Sequence, residues 1–195
     1  MIALRELLKQ CGIGKREQYV LCDEPAMEES ELCDVSGHRA LIFCQRLVVV
    51  QLLARLFDSG GLGMDIRYAI LDGTVPVNER FAMAEKFNLD PSIHVLILTT
   101  NIGGEGLNLT GADIVIFMEH DWNPVKDLQA MDRAHRIGQK CTVNVYRLIT
   151  EDSVEQNIVR LQKFKTDTAK ALVGADNRSL HTMATEQLVE LFTMD

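Results

Sequence analysis

Short apolar runs alternate with helix-like stretches from residue 39 onward. The apolar runs have the length of buried strands and occupy residues 40–44, 66–71, 93–98, 114–118 and 143–148. The stretches between them with helical spacing of apolar positions cover residues 47–57, 76–87 and 124–136. Strands that are apolar on both faces, separated by helices, are typical of a parallel sheet covered on both sides. The pattern therefore predicts an α/β fold.

Helical spacing also appears on either side of this alternation. Before it, the apolar positions predict a helix over residues 2–10, and an acidic segment follows at residues 17–35. After it, residues 154–164 carry apolar positions at helical spacing, and a last short helix is predicted over residues 186–192. These helices lie outside the strand-helix alternation, so we interpret them as appendages to a main domain.

The length of 195 residues suits one domain with an appendage. We expect an N-terminal helix with an acidic linker or insertion (1–38), a main α/β domain (39–150) and a helical C-terminal extension (151–195). The most apolar stretch, residues 40–57, is too short for a membrane span and carries two arginines, and no basic leader follows Met1. We therefore expect a soluble chain that is neither exported nor inserted into a membrane.

Charge is unevenly distributed along the chain. The net charge is −8, and seven acidic residues without any Lys or Arg lie at residues 17–35. Between Trp122 and Ile149 the balance reverses, because five basic residues face only two acidic ones. Since affinity for an anion depends on local potential, the acidic total does not exclude a phosphate-bearing ligand.

A glycine-rich loop follows the third predicted strand. Gly103, Gly104 and Gly106 lie within four residues, after Thr99 and Thr100. Glycines allow backbone N–H groups to approach a phosphate closely, and threonine hydroxyls add hydrogen-bond donors. The alternative is a tight exit from the strand, because the loop lacks the G-x-G-x-x-G spacing and a following helix.

The predicted helix at residues 124–136 has a cationic face. At about 100° per residue, Gln129, Arg133 and Arg136 fall within one sector. The opposite side carries apolar residues, namely Ala130, Met131, Ala134 and Ile137. Two guanidinium groups on one exposed face suit a polyanion, because each is a permanently charged fork that matches phosphate oxygens. The alternative is a solvated face on which one arginine pairs with Asp132.

A complete nucleotide cradle is not apparent in the sequence. Lys15 follows Gly14, but it precedes Arg16 rather than Ser or Thr, so this segment is not a P-loop. Asp72 follows an apolar strand without a second carboxylate, so a Walker B magnesium site is not predicted. The sequence therefore has candidate phosphate-binding arginines that form half of an active site.

Five segments resemble, in order and spacing, the motifs of the second RecA-like lobe of Swi/Snf-type superfamily 2 ATPases. They are residues 41–45, residues 71–80, residues 98–113, residues 121–124 and residues 129–139. The resemblance covers about residues 39 to 160. It implies a RecA-like parallel sheet with helices on both faces, as in the C-terminal lobe of P-loop NTPase-like helicases.

The resemblance also implies roles in ATP hydrolysis. Arg133 and Arg136 would be arginine fingers that reach across a cleft to the phosphates of ATP. The residues beside them would be Gln129, Gly104, Glu105 and Gly106. ATP and Mg²⁺ would be bound mainly by a first RecA-like lobe that this sequence lacks. We therefore expect no metal site in this chain and no ATPase activity from the chain alone.

Other matching residues would face double-stranded DNA. The resemblance places Gly73, Arg80, Thr99, Thr100 and Asn108 toward the DNA backbone. It places Trp122 in a segment that couples the state of the nucleotide to the grip on DNA. For Arg80 the alternative is an ion pair with Glu79 or Glu85 on the surface of a helix, and for Trp122 it is a place in the hydrophobic core.

One branch of this family is more closely similar in sequence, at residues 119–124, 144–150, 161–165 and 187–193. Members of that branch use ATP to remove the TATA-binding protein (TBP) from DNA and so regulate transcription. The resemblance therefore implies a nuclear ATPase. Its partners would be the first lobe of the parent chain, double-stranded DNA and, through the parent chain, TBP.

Two alternatives remain open at this stage. The first is a chromatin or nucleosome remodeller of the same family. The second is a partner-binding module without a catalytic role, in which the acidic segment and the C-terminal helices bind a partner. Strand separation by a helicase is disfavoured, because residues 121–124 and the Arg-Ile-Gly-Gln ending at Gln139 resemble translocating remodellers.

Overall fold

A five-stranded parallel sheet lies at the centre of the computed structural model, which describes residues 2–14, 37–103 and 106–173. The strands within these residues are β1 (Ala40–Cys44), β2 (Tyr68–Leu71), β3 (Val95–Thr99), β4 (Ile114–Phe117) and β5 (Asn144–Arg147). The helices are α1 (Ile2–Gln10), α2 (Leu47–Asp58), α3 (Val77–Leu89), α4 (Thr100–Gly103), α5 (Pro124–Met131) and α6 (Val154–Val173). This is the α/β architecture that the apolar pattern predicted.

β1 occupies the middle of the sheet, whose strand order is β2-β3-β1-β4-β5. Phe43 of β1 pairs with Leu98 of β3 on one side and with Phe117 of β4 on the other. Every residue of β1 is buried, because helices cover both faces of the sheet. All strand pairs are parallel, so the carboxyl ends of the strands and the loops that follow them share one edge.

One face of the sheet packs against α3 and α5, and we call this packing the front core. The rings of Phe43 and Phe117 stack there with centroids 5.4 Å apart. Phe87 of α3 and Ala130 of α5 complete the same cluster and are fully buried. The small side chain of Ala130 allows the backbone of α5 to lie close to the sheet.

The opposite face packs against α1 and α2, and we call this packing the back core. Leu4 and Leu8 of α1 contribute to it together with Leu53 and Phe57 of α2, against Ile42 of the sheet. Spacings of four residues along each helix place these pairs on one face. Both predicted faces of the sheet are therefore covered.

Most element bounds agree with the pattern to within two residues, and α1 and β1 begin and end where predicted. Two helices differ more: α6 continues to Val173, beyond residue 164, and α5 ends at Met131 rather than at Arg136. Beyond α5, the N–H of Arg133 bonds to the carbonyl of Ala130 and that of Ala134 to the carbonyl of Met131, so the chain tightens into turns. The expectation of a regular helix through Arg136 was wrong.

Two further departures from the predicted pattern concern Ile137, after α5, and the loop after β3. Ala130 and Ala134 are buried as predicted, but Ile137, which was expected on the apolar side, is 99% exposed. The loop after β3 also differs from expectation, because a single helical turn, α4, follows the strand directly. Neither departure changes the arrangement of the sheet.

The chain divides into two compact units. The first comprises Met1–Glu119 and Val125–Ile149 and contains the whole sheet. The second comprises His120–Pro124 and Thr150–Asp195 and contains α6. Within this second unit, Gln162 is almost fully buried and donates a hydrogen bond to the carbonyl of Asp121.

Some expectations concern residues outside the described ranges. The acidic segment at residues 17–35 and the short helix expected at residues 186–192 lie there. Among the helices that the structure does describe, each is too short or too polar to cross a membrane.

Candidate phosphate-binding site

The two candidate arginines lie on the turns that follow α5, at residues 132–138, which we call the arginine turn. Its path is set by the front core, because Ala130 before it and Ala134 within it are fully buried. The carbonyl of Arg133 also accepts a hydrogen bond of 3.0 Å from the N–H of Leu109. The arginine turn is thereby attached to the loop that leaves β3.

Both guanidinium groups lie beside Gly106 of that loop. Nη1 of Arg136 donates a hydrogen bond of 2.8 Å to the carbonyl oxygen of Gly106. Nη1 of Arg133 is 3.9 Å from the position that a Cβ atom on Gly106 would occupy. Gly106 has a φ of 82°, a conformation that other residues rarely adopt. The structure thus brings together Arg133, Arg136 and Gly106, which the sequence had placed in one site.

The guanidinium of Arg133 is not fully satisfied within the described residues. Its Nε is buried and has no hydrogen-bond partner there. The ion pairs found in that part of the chain do not include Arg133 or Arg136, so the alternative pairing with Asp132 is not present. A buried N–H without a partner is costly and rare in folded proteins. These donors suit the oxygens of a bound phosphate.

The remaining residues predicted for the phosphate site divide into two groups. Gln129 is exposed on α5, four residues before Arg133. Gly104 and Glu105 lie outside the described residues. A metal site was not expected in this chain, and the described residues contain no cluster of three or more His, Cys, Asp or Glu side chains suited to a metal ion.

Gln139 holds the arginine turn in place, and the sequence analysis gave it no role of its own. Its Nε2 lies 2.8 Å from the carbonyl oxygen of Ala112, and 3.2 Å from those of Thr110 and Ala134. Its Oε1 accepts a hydrogen bond of 2.9 Å from the N–H of Cys141. The side chain therefore ties the end of the arginine turn to the segment before β4. Its position at the end of the Arg-Ile-Gly-Gln motif was the only signal in the sequence.

Two of the residues predicted to face DNA follow β2: Gly73 lies in the loop after the strand, and Arg80 lies near the start of α3. Gly73 is exposed, and a Cβ atom there would have open space around it. Asp72 shapes the loop by accepting hydrogen bonds from the backbone N–H and the hydroxyl of Thr74. Arg80 is mostly buried, and its Nε donates to the carbonyl of Val75 at 2.9 Å. This contact attaches the loop to α3.

Three more residues predicted to face DNA lie at or beyond the end of β3: Thr99 ends the strand, Thr100 begins α4, and Asn108 lies in the loop before β4. Thr99 and Thr100 are both buried, and the hydroxyl of Thr100 donates a hydrogen bond of 3.0 Å to the carbonyl of Cys44. That hydroxyl therefore joins β3 to the end of β1. Asn108 is exposed, and its carbonyl accepts a hydrogen bond of 2.9 Å from the side chain of Asn88.

Trp122 belongs to the second unit and is 53% exposed, so the core position considered as its alternative is not what the structure has. Its carbonyl oxygen accepts a hydrogen bond of 3.0 Å from Nζ of Lys165 in α6. Together with the bond from Gln162 to Asp121, this contact attaches the Trp122 segment to α6 within the second unit. The indole remains largely open to solvent.

Glu119 organises the edge at which β1 and β4 end, and the sequence analysis did not single it out. Its carboxylate accepts hydrogen bonds from the backbone N–H groups of Gln45 and Arg46, and from Nε of Arg46 at 2.6 Å. Burial, followed by the nearby charge of Glu119, raises the pKa of the Cys44 thiol to about 12. Cys44 is therefore a neutral core residue at physiological pH.

Comparison with known proteins gives consistent matches. Residues 25–138 match the family described as the helicase conserved C-terminal domain. TATA-binding protein-associated factor 172 of Homo sapiens is 48% identical over 193 residues, which cover 99% of this chain and 10% of that protein. TATA-binding protein-associated factor MOT1 of Saccharomyces cerevisiae is 49% identical over 197 residues, with coverages of 99% and 10%.

A solved structure resembles the chain as well. The C-terminal part of the Fun30 ATPase domain matches with a TM-score of 0.65 and 34% identity. The match covers 83% of this chain and 44% of that one. The chain spans about a tenth of the length of the curated relatives it matches.

Proposed function

Because the chain belongs to the helicase conserved C-terminal domain family, we propose that it is the second RecA-like lobe of an ATP-driven translocase on double-stranded DNA. Residues 39–150 would form this lobe, with residues 1–38 and 151–195 as flanking parts. A first lobe in the parent chain would hold most of the nucleotide and its Mg²⁺. The two lobes would form a composite active site, to which this chain contributes the cationic side.

The observation that carries the proposal is the pair of guanidinium groups beside Gly106. Arg136 donates to the Gly106 carbonyl, and Arg133 lies against the same glycine with a buried Nε that lacks a partner in the described residues. If these arginines had a structural role, we would expect a carboxylate beside them that neutralises their charge. Among the described residues neither guanidinium has a carboxylate partner, so the donors that they do not use within the chain suit phosphate oxygens.

Arg133 and Arg136 would hold the phosphates, with Gln129, Gly104, Glu105 and Gly106 beside them. ATP bound with Mg²⁺ supplies the phosphoanhydride bond whose hydrolysis releases free energy. The guanidinium groups stabilise the negative charge that develops on the phosphoryl oxygens. Gln139 and the carbonyl of Gly106 orient them, so little reorganisation is needed during the reaction.

The same lobe would contact DNA through its loops. We assign Gly73, Arg80, Thr99, Thr100 and Asn108 to the side of the lobe that faces the DNA backbone, with Trp122 in the coupling segment. Gly73 and Asn108 are exposed and offer polar groups directly, and Arg80 and Thr100 shape the loops that carry them. Contacts with the DNA backbone depend on where the phosphates lie and not on the base sequence.

The relatives suggest what the translocase acts on. Two proteins that match almost the whole chain are named TATA-binding protein-associated factors. We therefore assign the parent protein to the removal of TBP from DNA, which places it in the nucleus as a regulator of transcription. Its partners would be the first lobe, double-stranded DNA and TBP.

Substitution of the arginines in the full-length protein tests the proposal. Arg136→Ala and Arg133→Ala should each lower the DNA-stimulated rate of ATP hydrolysis by about 10³-fold or more, as loss of arginine fingers does elsewhere. Arg55→Ala, which removes an exposed arginine from α2, is the matched control and should leave the rate unchanged. If the rate survives both active-site substitutions while TBP binding depends on them, the chain is a partner-binding module instead.

A further inference from the structure

Ile137 is the most exposed large apolar side chain in the described part of the protein, at 99%. It lies in the arginine turn, between Arg136 and Gly138. An exposed apolar residue is common on protein surfaces and by itself needs no explanation. The local structure around Ile137, however, is unlike that of an ordinary surface position.

Ile137 occupies a central position of a tight turn. The N–H of Gln139 donates a hydrogen bond of 2.9 Å to the carbonyl of Arg136, which closes a four-residue turn around Ile137 and Gly138. Gly138 has a φ of 103°, so the turn uses glycine where a left-handed conformation is needed. Central turn positions favour Pro, Gly, Asn and Asp. Turn chemistry therefore explains Gly138 but does not explain a β-branched apolar residue beside it.

The turn is also held firmly on both sides of Ile137. On one side, the guanidinium of Arg136 donates to the carbonyl of Gly106. On the other, Nε2 of Gln139 lies within hydrogen-bond distance of the carbonyls of Thr110, Ala112 and Ala134. An apolar side chain on such a support is oriented before it meets a partner, and binding then costs less conformational entropy.

We propose that Ile137 inserts into an apolar depression on the first RecA-like lobe, beside the phosphate site, when the two lobes close. The inference rests on the proposed function, because it takes the guanidinium groups of Arg133 and Arg136 to point at a nucleotide held by that lobe. Ile137 is adjacent to Arg136 and therefore meets the same surface. The curated relatives are about ten times longer than this chain, and a parent protein of that length would have ample sequence to form that surface.

The chemistry of the side chain favours a protein surface over DNA. An isoleucine gains free energy only where it is removed from water by other apolar groups. The DNA backbone presents charged phosphates, which are matched by Arg, Lys and polar groups. The surface that Ile137 contacts should therefore be apolar, while Arg133 and Arg136 bind negatively charged groups.

Ile137→Ser in the full-length protein tests the inference. Loss of a buried isoleucine contact should lower kcat/KM for ATP by about 10- to 100-fold in the presence of DNA, with DNA affinity unchanged. Ile137→Val keeps most of the apolar surface and should restore most of the activity. The thermal stability of the 195-residue chain should not fall with either substitution, because Ile137 is exposed in it. Val48→Ser on α2, another exposed β-branched position, is the control and should have no effect.

A photo-crosslinking residue, benzoylphenylalanine, placed at position 137 identifies the partner directly. Crosslinks to the first lobe should increase several-fold when AMP-PNP and DNA are added to the full-length protein. Crosslinks to DNA or to TBP would overturn the inference, as would full activity of Ile137→Ser. If Arg136→Ala abolishes hydrolysis while Ile137→Ser leaves kcat/KM unchanged, only this inference fails. If Arg136→Ala is also without effect, the proposed function itself fails.

Discussion

At the scale of single residues, two arginines in the same unit have opposite environments. The guanidinium of Arg39 lies 4.0 Å from the centre of the Phe87 ring and donates to the carbonyls of Ile93 and Asp90. Burial lowers the pKa of Arg39 to about 10, so the group remains charged at neutral pH. Arg133, by contrast, keeps a buried Nε without a partner in the described residues. The first arrangement is typical of a structural arginine and the second of a ligand-binding one.

This contrast predicts different effects on stability. Arg39→Met should lower the free energy of unfolding of the chain by about 2–4 kcal/mol, because buried carbonyls lose their donor. Arg133→Met should leave it unchanged or raise it slightly, because an unsatisfied N–H is removed. Urea-induced unfolding of the two variants, followed by circular dichroism, measures both. Equal losses would mean that Arg133 is as structural as Arg39.

At the scale of elements, the arginine turn and the loop between β3 and β4 behave as one substructure. Leu109 bonds to the backbone of Arg133, Arg136 bonds to Gly106, and Gln139 bridges back to Ala112. The carbonyl of Arg133 can accept from Leu109 because no helix continues past Arg136 to pair it with the N–H of Ile137. The turns after α5 and these three contacts together position the guanidinium groups.

Gln139 should be the residue that stabilises this substructure most. Gln139→Leu removes the donor shared by the carbonyls of Thr110, Ala112 and Ala134, and should cost about 1–3 kcal/mol of unfolding free energy. It should also speed hydrogen exchange at the N–H of Leu109, since the arginine turn is released. Gln51→Leu, on the exposed side of α2, is the matched control and should change stability by less than about 0.5 kcal/mol. An unchanged exchange rate at Leu109 in Gln139→Leu would show that the turn is held by other contacts.

At the scale of the whole molecule, our proposal is that the chain provides one side of a composite site. The net charge of −8 conceals a basic stretch between Trp122 and Ile149, which includes Arg133 and Arg136. The sequence has no Walker A motif, so the β- and γ-phosphates of a nucleotide lack their usual cradle. Cationic groups that stabilise charge are of little use without a partner that fixes the phosphates in place.

The isolated 195-residue chain should therefore hydrolyse ATP no faster than the buffer does. Phosphate release with and without double-stranded DNA measures this, with the full-length protein as the positive reference. Robust turnover by the chain alone that disappears in Arg136→Ala would contradict the composite site. Such a result would mean that the chain binds and positions the nucleotide by itself.

Particular residues show which parts of the fold the sequence predicts. The bounds of α1 and β1, the parallel sheet and the burial of Ala130 and Ala134 follow from apolar spacing, because a residue buried on one side of an element repeats with that element's period. Helical spacing also put Arg133 and Arg136 on one face, and both guanidinium groups do lie beside Gly106, although the helix assumed for them ends at Met131. These properties depend on neighbours within a few residues.

Contacts between segments that are distant in sequence decided which side chains are exposed and how the two loops of the site are joined. Ile137 is exposed and Arg80 is buried, although periodicity and residue type suggested the reverse. The bond from Arg136 to Gly106 spans 30 residues and that from Gln139 to Thr110 spans 29. Such bonds form only after the sheet has brought two loops together, so the spacing of residues along the chain does not predict them. The sequence by itself thus determined the layers of the fold and the identity of the cationic groups, while tertiary structure decided where those groups are held.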